Sequence, residues 1–165
     1  MKKIITFLAI AGLFTLQSCS VNDDGSNVDN DTISEVFEVT TSFNSNNNFS
    51  SLVTFNPPIF ASDVVLVYHL YDVVNGEDIW KLMPQTYYLS DGRALDFNFD
   101  FSKLSVKLFL DANSLATVPS SWTQNQTFRI VVIPANFAAT VDKKNIDAVM
   151  SALKVRDTEI QKINL

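Results

Sequence analysis

The chain has 165 residues, 47% of them apolar and 18% charged, with a formal net charge of −6, 13 Phe, four Gly, one His and one Cys. Those counts exclude a collagen-like repeat, a disulfide scaffold and a Cys/His zinc site, because each needs Gly, Cys or His in numbers this chain does not have. Gly12, Gly25, Gly76 and Gly92 are too scattered for a phosphate-binding turn, so no nucleotide cofactor and no metal is expected, and the acidic balance disfavours nucleic acid as a partner.

Residues 1–18 read as a signal peptide. Lys2 and Lys3 form a basic start, and Ile4 to Leu16 form an apolar stretch shorter than the roughly 20 residues of a bilayer span. The stretch ends in Leu16-Gln17-Ser18-Cys19, which resembles a bacterial lipobox. Cleavage there leaves Cys19 as the N-terminus, its thiol carrying a diacylglyceryl group and its amine a further acyl chain such as palmitate. Each buried CH₂ contributes about 0.8 kcal/mol, so several chains make anchoring effectively permanent. The expected location is the outer membrane, lipid-anchored, on the cell surface or the periplasmic face.

Residues 19–35 read as the lipidated Cys and a disordered tether. Asp23, Asp24, Asp29, Asp31 and Glu35 fall here among Asn and Ser, with no basic residue. Ser20-Val21-Asn22-Asp23-Asp24 resembles the surface-export signal of Bacteroidota lipoproteins, with a plain soluble linker as the other reading. Asp31-Thr32-Ile33 matches a short O-glycosylation sequon of that phylum, which makes Thr32 a candidate modification site.

Residues 36–165 suit one domain. Val, Ile, Phe and Tyr in short alternating runs predict a mainly β fold: an antiparallel β-sandwich or curved sheet of about seven to eight strands, with one C-terminal amphipathic helix. Phe37 to Phe43 and Phe49 to Phe55 alternate on either side of the polar run Asn44–Asn48, which predicts a first hairpin. A meander follows. With two-residue turns at Asn75-Gly76, Asp91-Gly92 and Ser102-Lys103, Tyr71 opposes Trp80, His69 opposes Leu82, Tyr88 opposes Leu95, and Phe97 opposes Leu108, all on one apolar face of one sheet. The other face carries Asp96, Asn98 and Asp100, and towards the first strand it becomes apolar at Leu66, Tyr68 and Leu70, which something must cover. Two covers are predicted. Phe128 to Ile133 is apolar enough for a central strand, and Ile146, Val149, Met150 and Leu153 recur at helical spacing within 143–154, capped by Asp142 or starting at Asn145. Glu159 to Leu165 reads as an edge strand.

Pro84-Gln85-Thr86, the alternation Leu95 to Phe101, and Thr123 to Val131 followed by Pro134-Ala135 resemble small uncharacterised cell-envelope lipoproteins of flavobacteria and other Bacteroidota, over roughly residues 60–155. The resemblance implies an envelope location and carries no catalytic residue across.

Candidate chemistry is sparse. His69, the one histidine, falls on the apolar face and reads as a buried, hydrogen-bonded structural residue. Asp96, Asn98 and Asp100 stand about 6.6–6.8 Å apart along one strand face, too far to converge on one calcium ion. Aromatic side chains remain. Tyr88 and Trp80 read as core, whereas Tyr87, Phe109 and Trp122 form the candidate binding patch, with Trp122 as a loop anchor on Leu115 and Val118 in the competing reading. The expected function is a non-enzymatic envelope or interaction module, held by its N-terminal lipid and meeting an envelope protein or glycan. The first alternative is a carbohydrate- or ligand-binding module using exposed aromatics. The second is a small envelope hydrolase, since paired carboxylates meet in space and leave no signature in sequence.

Overall fold

The computed structural model describes residues 35–165, so the signal segment 1–18, Cys19, tether residues 20–34 and with them Thr32 lie outside the described residues, while Glu35, expected to end the tether, opens the first strand. Among the described residues there are nine strands: β1 (Glu35–Thr41), β2 (Ser50–Thr54), β3 (Val64–Val74), β4 (Glu77–Leu82), β5 (Gln85–Tyr88), β6 (Ala94–Phe101), β7 (Ser105–Asp111), β8 (Gln126–Ile133) and β9 (Gln161–Asn164). A one-turn helix α1 (Ala135–Ala138) and the longer α2 (Ile146–Leu153) separate β8 from β9. One sheet runs β4-β3-β8-β1-β9 and the other β2-β7-β6-β5. The fold is mainly β and sandwich-like, with more strands than the seven or eight expected. Pairing is antiparallel except at β9, which lies parallel to β1 at the sheet edge.

The arrangement follows from β8, whose two faces are both apolar. Phe128, Ile130 and Val132 meet Val39, Val65 and Val67 of their own sheet and Leu95, Phe97, Val106 and Leu108 of the facing sheet. On the other side Val131 and Ile133 join Val36, Leu66 and Tyr68 beneath Val149 and Met150 of α2. Full burial of one such aliphatic side chain is worth about 1.5–3 kcal/mol, so neither face of β8 can be left to water. Three layers result: sheet, sheet, helix. Asn145 caps α2 by accepting from the Ala148 N–H at 3.1 Å, which leaves Lys143 and Lys144 outside the positive end of the helix dipole. The Tyr68 hydroxyl donates to the Lys143 carbonyl at 2.7 Å and ties that loop to the sheet. Burial, helped by the charge of Asp142, pushes its phenol up to about 12.

Five expectations about pairing are corrected. β1 and β2 form no hairpin. Asn44 caps a 3₁₀ turn over Ser45–Asn47, Asn48 and Phe49 take left-handed backbone, and the chain passes from the first sheet to the second. The meander is also split, because β4 ends at Leu82 in one sheet and β5 starts at Gln85 in the other. The Asn75-Gly76 turn has two residues as predicted, both at positive φ, but a bulge at Tyr71 then shifts the register by one. Trp80 therefore pairs with Leu70 and turns away from the sandwich core, and His69 pairs with Lys81 instead of Leu82. The Asp91-Gly92 turn contains three residues, since the Leu89 N–H donates to the Arg93 carbonyl and Gly92 adopts φ 84°. That extra residue flips β5: Tyr87 points into the core and Tyr88 is 76% exposed. At the third turn Phe97 meets Leu110 instead of Leu108, a shift of two that preserves the face.

His69 is 1% exposed and lies between the rings of Phe97 and Phe128, at 4.3 and 5.1 Å. Its tautomer follows from its neighbours. The Gln126 amide donates to the carbonyls of Ser121 and Gln124, so its oxygen faces the His69 Nε2–H at 3.0 Å, and the Tyr87 hydroxyl donates to Nδ1 at 3.0 Å. Burial pushes the imidazole down to about 4, opposed only by the Gln126 hydrogen bond. The unfolded chain takes up this proton near 6.5 and the folded chain near 4, so stability falls as pH falls through that window. The loss should approach about 3 kcal/mol. Urea midpoints of the wild type and of His69→Gln, measured between about pH 7.5 and 3.5, should converge by that amount on acidification. Parallel pH profiles would rule the imidazole out as the source.

Candidate functional site: a cleft floored by a buried arginine

A cleft of about 820 Å³ lies on the helix side of the five-stranded sheet. One wall is the β3–β4 turn with Gly76, Glu77 and Asp78. The other is the C-terminal half of α2 and the segment after it, with Met150, Ser151, Lys154 and Arg156. Trp80 and Arg129 lie between them. The bulge at Tyr71 places Trp80 here, because the one-residue shift puts it on the same sheet face as Leu70 and Tyr68.

Arg129 interrupts the apolar run of β8 and is only 7% exposed. On its sheet face it stands between Tyr68 of β3 and Glu38 of β1, with Lys162 of β9 beyond Glu38. Its Nη2 donates to Glu38 Oε2 at 3.0 Å and its Nη1 to Asp157 Oδ1 at 3.1 Å, while the guanidinium lies over the Trp80 ring, 4.4 Å from its centroid. Lys162 Nζ reaches the other Glu38 oxygen at 3.0 Å. Burial pushes the Glu38 carboxyl up, but hydrogen bonds from Lys162 and Arg129, with their charges, outweigh it and hold it below the usual carboxylate range. Two of the five guanidinium N–H groups are thus used, and the buried Nε has no acceptor among the described residues. Arg156, also lining the cleft, is taken up by Glu159 at 2.6 Å. Glu77, Asp78 and Asp147 form no ion pair with any described residue. The lining therefore combines two clamped guanidinium groups and Lys154, unpaired among the described residues, with three uncommitted carboxylates.

The three aromatics expected to form a patch do not come together. Tyr87 is 8% exposed, and Trp122, half-buried in the 3₁₀ turn Ser120–Trp122, packs against it with centroids 5.0 Å apart. Trp122 also shares the core with Leu115 and Val118. Phe109 sits on the outer face of the second sheet, half-buried, with Lys107 Nζ 5.6 Å from its ring centroid. The exposed ring of Tyr71 stacks on Tyr87 at 5.3 Å. Among the described residues no three His, Cys, Asp or Glu side chains converge as a metal site, and no helix is long and apolar enough to cross a membrane.

Sequence reasoning read Trp80 as core and passed over Arg129. The available signal was a lone charge inside Phe128–Ile133, since an ion in a strand buried on both faces must be paired or must serve a site.

Removing one partner of a buried ion pair leaves the other charge uncompensated. Glu38→Gln should destabilise the fold by about 3–5 kcal/mol, read from urea denaturation. A loss below about 1 kcal/mol, the level of a surface ion pair, would mean that Asp157 alone satisfies the arginine.

A scan of protein-family models, a search of curated proteins and a search of solved structures match nothing to this chain, so its functional reading rests on its own residues.

Proposed function

We propose that this protein is a lipid-anchored envelope protein whose β-domain is a non-enzymatic binding module, displayed on an acidic tether and belonging with the small Bacteroidota-type lipoproteins it resembles. The observation that carries the reading is the position of the one Cys: Cys19 closes Leu16-Gln17-Ser18-Cys19 after a basic and then apolar start. The tether between Cys19 and Glu35 can reach at most roughly 55 Å, enough to hold a folded domain clear of lipid headgroups. Binding is favoured over catalysis because the one histidine is sealed in the core, and the cleft's most buried charge is already clamped by carboxylates. The cleft with Trp80 favours the ligand-binding form of this reading over a flat protein contact.

Cys19→Ala should abolish incorporation of labelled palmitate and release the protein from the membrane fraction. Unchanged labelling would remove the anchor assignment. Protease added to intact cells should digest the β-domain if Ser20 to Asp24 act as an export signal. Full protection, with a known surface protein cleaved in the same sample, would place the domain on the periplasmic face.

A further inference from the structure

We infer that the cleft between the β3–β4 turn and α2 is the module's ligand site and that it takes a neutral oligosaccharide, bound at Trp80 and Arg129. The inference rests on the binding-module reading and is independent of the anchor. Size, charge and hydrogen-bonding character all bear on it. At about 820 Å³ the cleft falls within the roughly 300–1,000 Å³ of small-molecule sites, with room for more than one sugar ring.

Its lining carries four acids and three bases, so neither an anionic nor a cationic ligand finds a uniform field of opposite sign. A polyol meets this mixture without conflict. Each sugar hydroxyl offers one donor and two acceptor positions, which suits carboxylates without an ion pair (Glu77, Asp78, Asp147) beside guanidinium N–H groups. An ion would match only one of the two kinds of partner and be repelled by the other.

Trp80 supplies the apolar component. Its indole is half-buried, pinned on one side by the guanidinium 4.4 Å from the ring centroid, and set on a strand instead of a loop. A ring immobilised in this way loses little conformational entropy when a sugar's C–H face packs on its exposed part. Arg129 is held by Glu38 and Asp157, so its remaining N–H groups are oriented before any ligand arrives. The Nε without an acceptor marks the arginine as incompletely satisfied by the protein.

The test is isothermal titration of the mature anchored chain in detergent with cellotetraose, maltotetraose, mannotetraose and chitotetraose, and with tetragalacturonate as the anionic comparison. At least one neutral tetrasaccharide should bind, and more tightly than tetragalacturonate. Trp80→Ala should weaken that binding by about tenfold or more. Because Trp80 touches the helix-side core, Ser151→Tyr provides a second variant: Ser151 is exposed on α2 and lines the cleft, so a bulky ring there blocks the site without touching the core. It should lose binding with an unchanged urea midpoint, whereas Tyr88→Ala, on the edge of the other sheet, should bind as wild type.

No binding to any neutral tetrasaccharide, binding indifferent to Ser151→Tyr, or preference for tetragalacturonate would each overturn the inference. Cys19→Ala should bind the same sugar with the same affinity, so the anchor and the ligand fail separately. Reducing ends released during incubation would count for the ligand class and against the non-enzymatic reading.

Discussion

Strand β8 lies at the centre of one sheet with apolar side chains buried on both of its faces, and that double burial constrains everything around it. Its inner residues need a second sheet and its outer residues need a helix. A chain of this length has few ways to provide both. Two strands must flank β8 directly, which β1 and β3 do, and the segment after it must fold back over the outer face, which α2 does. β9 then closes the far edge beside β1, parallel to it and so antiparallel to β8.

A single charge breaks the apolar face of β8. Arg129 is tolerated because Glu38 lies directly across on β1, Asp157 reaches in from the turn before β9, and Trp80 offers its π face. These partners come from three separate parts of the chain, so the arginine is paired only once β1, β4 and the turn before β9 have come together around β8. A buried ion pair of this kind is poor value as a source of stability. Its more useful property is rigidity, which fixes the geometry of a side-chain surface before a ligand meets it.

The inner core is organised differently. His69, Tyr87 and Gln126 form a polar chain enclosed by Phe97 and Phe128, with every polar group in it bonded. Such a network tolerates only one strand register, because a one-residue slip would bury an unbonded hydroxyl or imidazole. The inward turn of Tyr87 is therefore tied to the three-residue loop at Ser90–Gly92: the loop supplies the phase and the imidazole supplies the reason for it.

What the sequence determined by itself was whatever depends on local period and composition. The run Phe128–Ile133, apolar at every position but Arg129, announced a central strand, the spacing Ile146, Val149, Met150, Leu153 announced the helix, and Asn75-Gly76 announced a two-residue turn, because only such residues accept positive φ at both positions cheaply. His69 was legible as buried from the apolar face it was read to share with Leu82, and it is buried although its partner is Lys81. Tertiary structure alone decided which face Trp80, Tyr87 and Tyr88 occupy, since one bulged residue at Tyr71 and one extra loop residue at Ser90 reverse the alternation and neither leaves a mark in local pattern. It also decided the cleft. Arg129, Glu38, Asp157 and Trp80 are remote in sequence, and their meeting depends on strand order, which is set by the global burial of β8 and not by any short-range preference of the residues themselves.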